Sequence, residues 1–164
     1  EQVRIASLAL DPRTNQPVVL LKPLEEKPGH GRLLPIWIGH PEATAILLAL
    51  EGVETPRPMT HDLMLSLVGT LEALIERVEI TRVDEGTFYA AIILRGEERT
   101  RVVDARPSDS IALAIRAGAP IYVADEVLDS AAVADESVEA VDEEAELEAF
   151  RDFLDHVNPA DFSS

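Results

Sequence analysis

Ile36-Trp37-Ile38-Gly39-His40-Pro41-Glu42-Ala43-Thr44-Ala45-Ile46-Leu47-Leu48-Ala49-Leu50-Glu51-Gly52 returns in outline 66 residues later as Val102-Val103-Asp104-Ala105-Arg106-Pro107-Ser108-Asp109-Ser110-Ile111-Ala112-Leu113-Ala114-Ile115-Arg116-Ala117-Gly118. Pro41 falls on Pro107, Leu47 on Leu113 and Gly52 on Gly118, so each copy reads as strand, proline, acid, apolar helix and terminating glycine. Proline suits the first helical position, where its missing N–H would have no partner anyway. Glu42 and Asp109 complement the positive end of each helix dipole. Glycine is placed to end each helix.

Outward from these units, Val3–Leu10, Val18–Lys22 and Arg32–Ile38 read as a three-stranded meander, broken by the turn formers of residues 11–15 and 28–31. Pro56-Arg57-Pro58 cannot continue the first helix. Thr60 is expected to cap a second one over residues 60–75, with Leu63, Leu67, Leu71, Leu74 and Val78 as one apolar stripe. Strands follow at Arg77–Val83, Thr87–Arg95 and Arg99–Ala105, the first two joined by Glu85-Gly86. They feed a helix from Pro107 to Ala117, after which Ile121–Ala124 reads as a short edge strand. The expected fold is α+β: duplicated β-β-β-α units, two mainly antiparallel sheets around buried helices, and an amphipathic helix between the repeats. The helix after Pro41, apolar on nearly every side, is expected between the two sheets.

A chain of 164 residues suits one domain. We expect it over residues 1–130, followed by an acidic tail over 131–164 with a short helix at Glu146–Val157 that sets Phe150, Leu154 and Val157 on one side. Of the formal charge of −17, residues 125–164 contribute −13, holding 14 Asp/Glu against the single Arg151. Acidity of that kind reads as a solvated tail. Neither part carries the dense basic stripe of a non-specific nucleic-acid binder. Zero cysteines exclude a disulfide framework and thiolate metal sites, and fit a cytoplasmic protein. No apolar run approaches the roughly 20 residues of a membrane span. Glu1 as first residue implies an initiator segment upstream.

Four ordered blocks carry a family resemblance: Leu34-Pro-Ile-Trp-Ile-Gly-His-Pro-Glu-Ala-Thr-Ala, Pro56-Arg-Pro-Met-Thr-His-Asp-Leu, Asp84-Glu-Gly-Thr-Phe-Tyr-Ala and Asp104-Ala-Arg-Pro-Ser-Asp-Ser-Ile-Ala-Leu-Ala. Together they resemble bacterial members of the bifunctional nuclease domain family, over roughly residues 3–130. The resemblance implies a duplicated mixed α/β domain that cleaves phosphodiester bonds in DNA, RNA or both.

Under that reading, carboxylates would hold Mg2+ or Mn2+ to polarise a phosphate and to lower the pKa of an attacking water. Candidate metal ligands are Glu42, Asp62, Asp104 and Asp109, and the candidate catalytic residues are His61, Asp104 and Asp109. His61 has the intrinsic pKa of a general base near neutrality. Arg57 and Arg106 are candidates to grip the substrate phosphate. Three helix N-termini could supply free N–H groups to the same anion. Each acid also has a purely structural role open to it, as a helix cap or in an arginine ion pair, and His61 could instead bond a neighbouring carbonyl. Ser108 suits a helix cap. Trp37 suits the core or a subunit interface, and an aromatic strand could make a dimer contact. The leading expectation is a homodimeric nuclease, and the competing functions are a non-catalytic binding or regulatory module and a chiefly structural dimer whose acidic tail supplies solubility or docks a basic partner.

Overall fold

The computed structural model describes residues 1–136. Two antiparallel meanders dominate it: β1 (Gln2–Leu10), β2 (Pro17–Pro23) and β3 (Arg32–Trp37), then β4 (Leu74–Asp84), β5 (Thr87–Arg95) and β6 (Thr100–Ala105). Helices α1 (His40–Leu50) and α2 (Thr60–Thr70) lie between the meanders in sequence. After β6 come α3 (Pro107–Ala117), β7 (Ile121–Val123), α4 (Asp125–Ala131) and β8 (Val133–Ala134). No helix among the described residues is long and apolar enough to cross a membrane.

Instead of the expected two sheets, all eight strands form one, in the order β6-β5-β4-β7-β1-β2-β3-β8. Strand β7 causes the difference. Read as an edge strand, it lies centrally, parallel to β4 through Val78 and Ile121 and antiparallel to β1 through Val3 and Ile121. An apolar Ile121-Tyr122-Val123 in that slot pairs both inner strands, whose main-chain groups would otherwise be left open.

Helix α3 is the most enclosed, with Ser108, Ser110, Ile111, Ala112, Leu113 and Ala114 all buried, and it packs against α1, α2, β4 and β5. Gly118 closes it at φ 63°, in the left-handed region that a side chain disfavours. Helix α1 buries only Ala43, Ile46 and Leu47 and leaves Leu50 exposed, so one face is covered rather than all of it. Among the described residues no second sheet covers the other face.

The expected stripe of α2 is divided. The helix stops at Thr70, Glu72 turns the chain at φ 55°, and Leu74 and Val78 belong to β4, where Val78 is fully buried. Leu63, Leu67 and Leu71 face outward. Thr60 is the first helical residue and Met59 the cap, its N–H donating to Oδ2 of Asp62 at 2.9 Å.

The acid-rich stretch after residue 124 begins as packed structure rather than solvated tail. Val127 and Leu128 of α4 are buried, β8 pairs with β3, and Asp135 meets the buried Lys22 ammonium at 2.7 Å. The helix expected over Glu146–Val157 lies outside the described residues. Trp37 is half exposed on β3, its indole N–H reaching Asp11 at 3.2 Å, and Tyr89 lies under the Arg82 guanidinium.

Candidate active site

The N-terminal turns of α1, α2 and α3 converge on a cleft of about 440 Å3, lined among others by Pro41 and Glu42, Thr60 and His61, and Arg106 and Asp109. The local sequence explains the convergence. Pro107 opens α3 directly after the extended Arg106, Pro41 is the second residue of α1 behind the extended Gly39, and the Pro56-Arg57-Pro58 loop delivers α2 beside them. Each first turn holds one acid: Glu42, Asp62 and Asp109. Three helix N-termini, with their positive dipole ends, therefore border one cavity.

Asp109 is the hub. Its Oδ1 lies 2.9 Å from Nε2 of His61, and its Oδ2 accepts from Nε of Arg106 at 2.8 Å. The other arm of Arg106 donates through Nη2 to Oε1 of Glu42 at 2.9 Å, linking α3 to α1. Burial works against ionisation of Asp109, but the hydrogen bonds from Arg106 and His61 and the charge of Arg106 outweigh it and hold the carboxyl below its ordinary value. The same two carboxylates push the Arg106 guanidinium upward, Asp109 most strongly. An ionised carboxylate only accepts, so Nε2 of His61 carries the hydrogen in this contact.

A second pair supports α2. Nε of Arg116 donates to Oδ1 of Asp62 at 2.8 Å while the Met59 N–H takes Oδ2. Burial opposes the charge on Asp62, and the bonds from Arg116 and Met59 overcome it, leaving the carboxyl below its ordinary value. Arg116 is largely buried and also donates to the Ala112 carbonyl. Sequence reading had not singled out Arg116. The available signal was its spacing from Asp109: seven residues is two helical turns, which puts both side chains on one face of α3.

The structure thus gathers His61, Asp109, Arg106 and Glu42 into one connected network, with Asp62 beside it on α2. Asp104 stands apart. It is opposite Ala91 in the β5–β6 ladder, whereas the neighbouring β5 residues Ala90 and Ile92 join the core. Because cross-strand partners share a face and successive residues alternate, Asp104 points away from the helices. It is exposed on edge strand β6. Arg57 is also exposed, in the loop before α2, where its carbonyl accepts from Thr55. Ser108 is buried at the start of α3. Among the described residues, no group of three or more His, Asp or Glu is disposed to hold a metal ion.

Against known proteins, the bifunctional nuclease domain matches residues 19–136 of this chain. An uncharacterized protein of Mycobacterium tuberculosis is 44% identical over 168 aligned residues, covering 99% of this chain and 98% of its own length. Bifunctional nuclease 1 of Oryza sativa subsp. indica is 29% identical over 103 residues, 61% of this chain and 31% of the rice protein. Bifunctional nuclease 1 of Arabidopsis thaliana is 30% identical over 110 residues, 65% of this chain and 33% of the plant protein. The chain therefore spans about a third of the plant nucleases it matches.

Proposed function

The chain belongs to the bifunctional nuclease domain family, and from that membership together with the His61–Asp109 pair we propose that it hydrolyses phosphodiester bonds of DNA, RNA or both. The observation that carries the reading is an imidazole oriented by an ionised carboxylate at a cleft bordered by three helix N-termini. A phosphate drawn to the positive ends of these helices and to the outer face of Arg106, which remains 64% exposed, would have its charge partly balanced. His61 then takes a proton from an attacking water, whose oxygen forms a bond to phosphorus as the P–O bond to the leaving sugar oxygen breaks. The proton passes from the imidazolium to that leaving oxygen. Asp109 keeps the ring in the required tautomer and stabilises its charged form.

Mg2+ or Mn2+ does not fit the donor set as arranged. Glu42 and Asp109, the carboxylates linked across the cleft, already share Arg106, and Asp62 is held by Arg116. No step is routed through a metal. Asp104 and Arg57 have no part in this scheme, and Arg106 takes the substrate-binding role. The two β-β-β-α halves are read as a duplication, and the cysteine-free chain as a cytoplasmic protein.

One observation favours a second reading, a binding module that holds an anion without cleaving it: each acid of the cleft is already bound to arginine, a static arrangement that needs no turnover to account for it. End-labelled single-stranded DNA and RNA incubated with purified protein separate the two. We expect cleavage that His61→Ala removes while the fold is retained. Intact substrate under every condition would leave only the binding module.

A further inference from the structure

A second cavity, of about 290 Å3, adjoins the cleft and has no part in the reaction proposed for it. Leu48, Met59 and Arg116 line both spaces. Gly52 shapes the outer wall. Just beyond the cap of α1 it takes φ 63°, in the left-handed region, and the Val53 N–H turns back to the Leu48 carbonyl at 3.0 Å. That turn carries Val53 and Glu54 over the C-terminal half of α3, where Ile115 and Arg116 complete the lining.

The walls are apolar, and two polar groups among them are left to a ligand. Arg116 is 9% exposed and donates through Nε to Asp62 and through Nη1 to the Ala112 carbonyl, which leaves Nη2. The Glu54 carboxylate has no partner among the described residues.

We propose that this pocket takes one nucleobase of the substrate strand, beside the phosphate at the His61 cleft, and that Glu54 and Arg116 together select guanine. The neighbouring phosphate rests on the nuclease reading. Charge decides between a base and a second phosphate: Glu54 and Asp62 outnumber Arg116 along the lining, so an anion is repelled and a neutral flat group is not. Size agrees, since about 290 Å3 lies at the small end of the roughly 300–1,000 Å3 of ligand sites, room for one base rather than a length of strand. The Met59 thioether and the aliphatic walls suit an aromatic face. Spacing fits as well, because Arg116 follows Asp109 by two turns of α3, about 10 Å, comparable with the reach of one nucleotide from its phosphate to the edge of its base.

Edge chemistry decides among the bases. A carboxylate has two oxygens that only accept. Guanine sets two donors side by side, N1–H and the N2 amino group, and next to them the O6 and N7 acceptors that suit a guanidinium. Adenine and cytosine each bring a single amino group, and thymine and uracil a single ring N–H.

Fluorescence anisotropy with hexathymidylates carrying one internal deoxyguanosine, deoxyadenosine or deoxycytidine tests this, on the full-length His61→Ala chain so that the probe is not consumed. We expect the guanine probe to bind on the order of tenfold more tightly than the others, the discrimination of a bidentate contact. Glu54→Gln exchanges one acceptor oxygen for a donor and should erase that preference, while binding of plain hexathymidylate and the circular dichroism spectrum stay unchanged. Glu54 is exposed, so the substitution spares the fold. Equal binding of all probes overturns the proposal, as does a guanine preference that survives Glu54→Gln. The nuclease reading is judged apart from it. Wild-type cleavage with no base preference would remove the pocket and leave the nuclease standing. A chain that cuts nothing, yet binds guanosine monophosphate and loses it on Glu54→Gln, would keep the pocket and remove the nuclease.

Discussion

His61 and Asp109 are separated by 48 positions and meet at 2.9 Å, joining the first turns of α2 and α3. The contact has local causes. His61 follows Thr60 at the start of a helix, and Asp109 lies two residues beyond Pro107 at the start of another. Both therefore project from first turns, where backbone donors are free and an acid is electrostatically favoured. Arg106, capping α3, holds the far oxygen of Asp109 and so fixes which oxygen remains for the imidazole.

Asp109→Asn should reduce cleavage of single-stranded substrate by about a hundredfold or more, the scale of a general-base contribution. In the wild type both oxygens of Asp109 accept, one from His61 and one from Arg106. An amide has one acceptor oxygen and one donor nitrogen, so it satisfies only one of these partners and sets a donor against the other. Initial rates under saturating substrate measure the effect. Wild-type rates in the variant would remove Asp109 from the mechanism.

Stability should also report on this carboxyl. The folded state holds Asp109 below the ordinary aspartate value of about 3.8, so near and below that pH the unfolded chain binds more protons than the folded one. The contribution is fully present above roughly pH 4 and is lost as the pH falls through the depressed folded value. Thermal midpoints of wild type and Asp109→Asn, taken from pH 7 downward, should lie furthest apart at neutrality and draw together in acid. A separation that grows as the pH falls would contradict the assigned direction.

The legible parts of the molecule are those where one residue decides a local structure. Pro41 and Pro107 announced two helix starts, Gly118 a helix end, and the Glu85-Gly86 pair a hairpin, because each acts through its own backbone. What sequence could not supply was partnership across space. Nothing within Ile121-Tyr122-Val123 says whether its two edges are open or paired, so one sheet was read as two. Asp104 and Asp109 are five residues apart, but a strand alternates faces while a helix N-terminus does not, and only the β5 register shows which face Asp104 takes. The spacing of Leu63, Leu67 and Leu71 established a stripe without saying what covers it.

Lys22→Met should destabilise the fold by about 3–5 kcal/mol, the usual cost of leaving one half of a buried ion pair unpaired. Lys22 is 1% exposed on β2, and its ammonium binds Oδ2 of Asp135 at 2.7 Å and the His30 carbonyl. Asp135 also accepts from the Gly29 N–H, so the pair fastens the segment after β8 to the turn between β2 and β3. Urea unfolding followed by circular dichroism gives the change. A shift within error of zero would mean that the Asp135 segment detaches at little cost.

Removal of divalent cations should leave cleavage unchanged. For Mg2+ or Mn2+ to sit between Glu42 and Asp109, it must displace a guanidinium already bonded to both, at 2.9 and 2.8 Å, and exchange an anchored cation for one that must shed water. Wild-type rates in EDTA and in Mn2+ should therefore agree. Arg106→Ala separates the possibilities further, because it strips both carboxylates of their shared partner and leaves an anionic pair beside His61. That variant should bind Mn2+ detectably by calorimetry, where the wild-type chain does not, while losing activity for want of the phosphate-facing guanidinium. If EDTA instead abolishes wild-type cleavage and Mn2+ restores it, Arg106 must swing out of the cleft during turnover, and Glu42 and Asp109 become metal ligands after all.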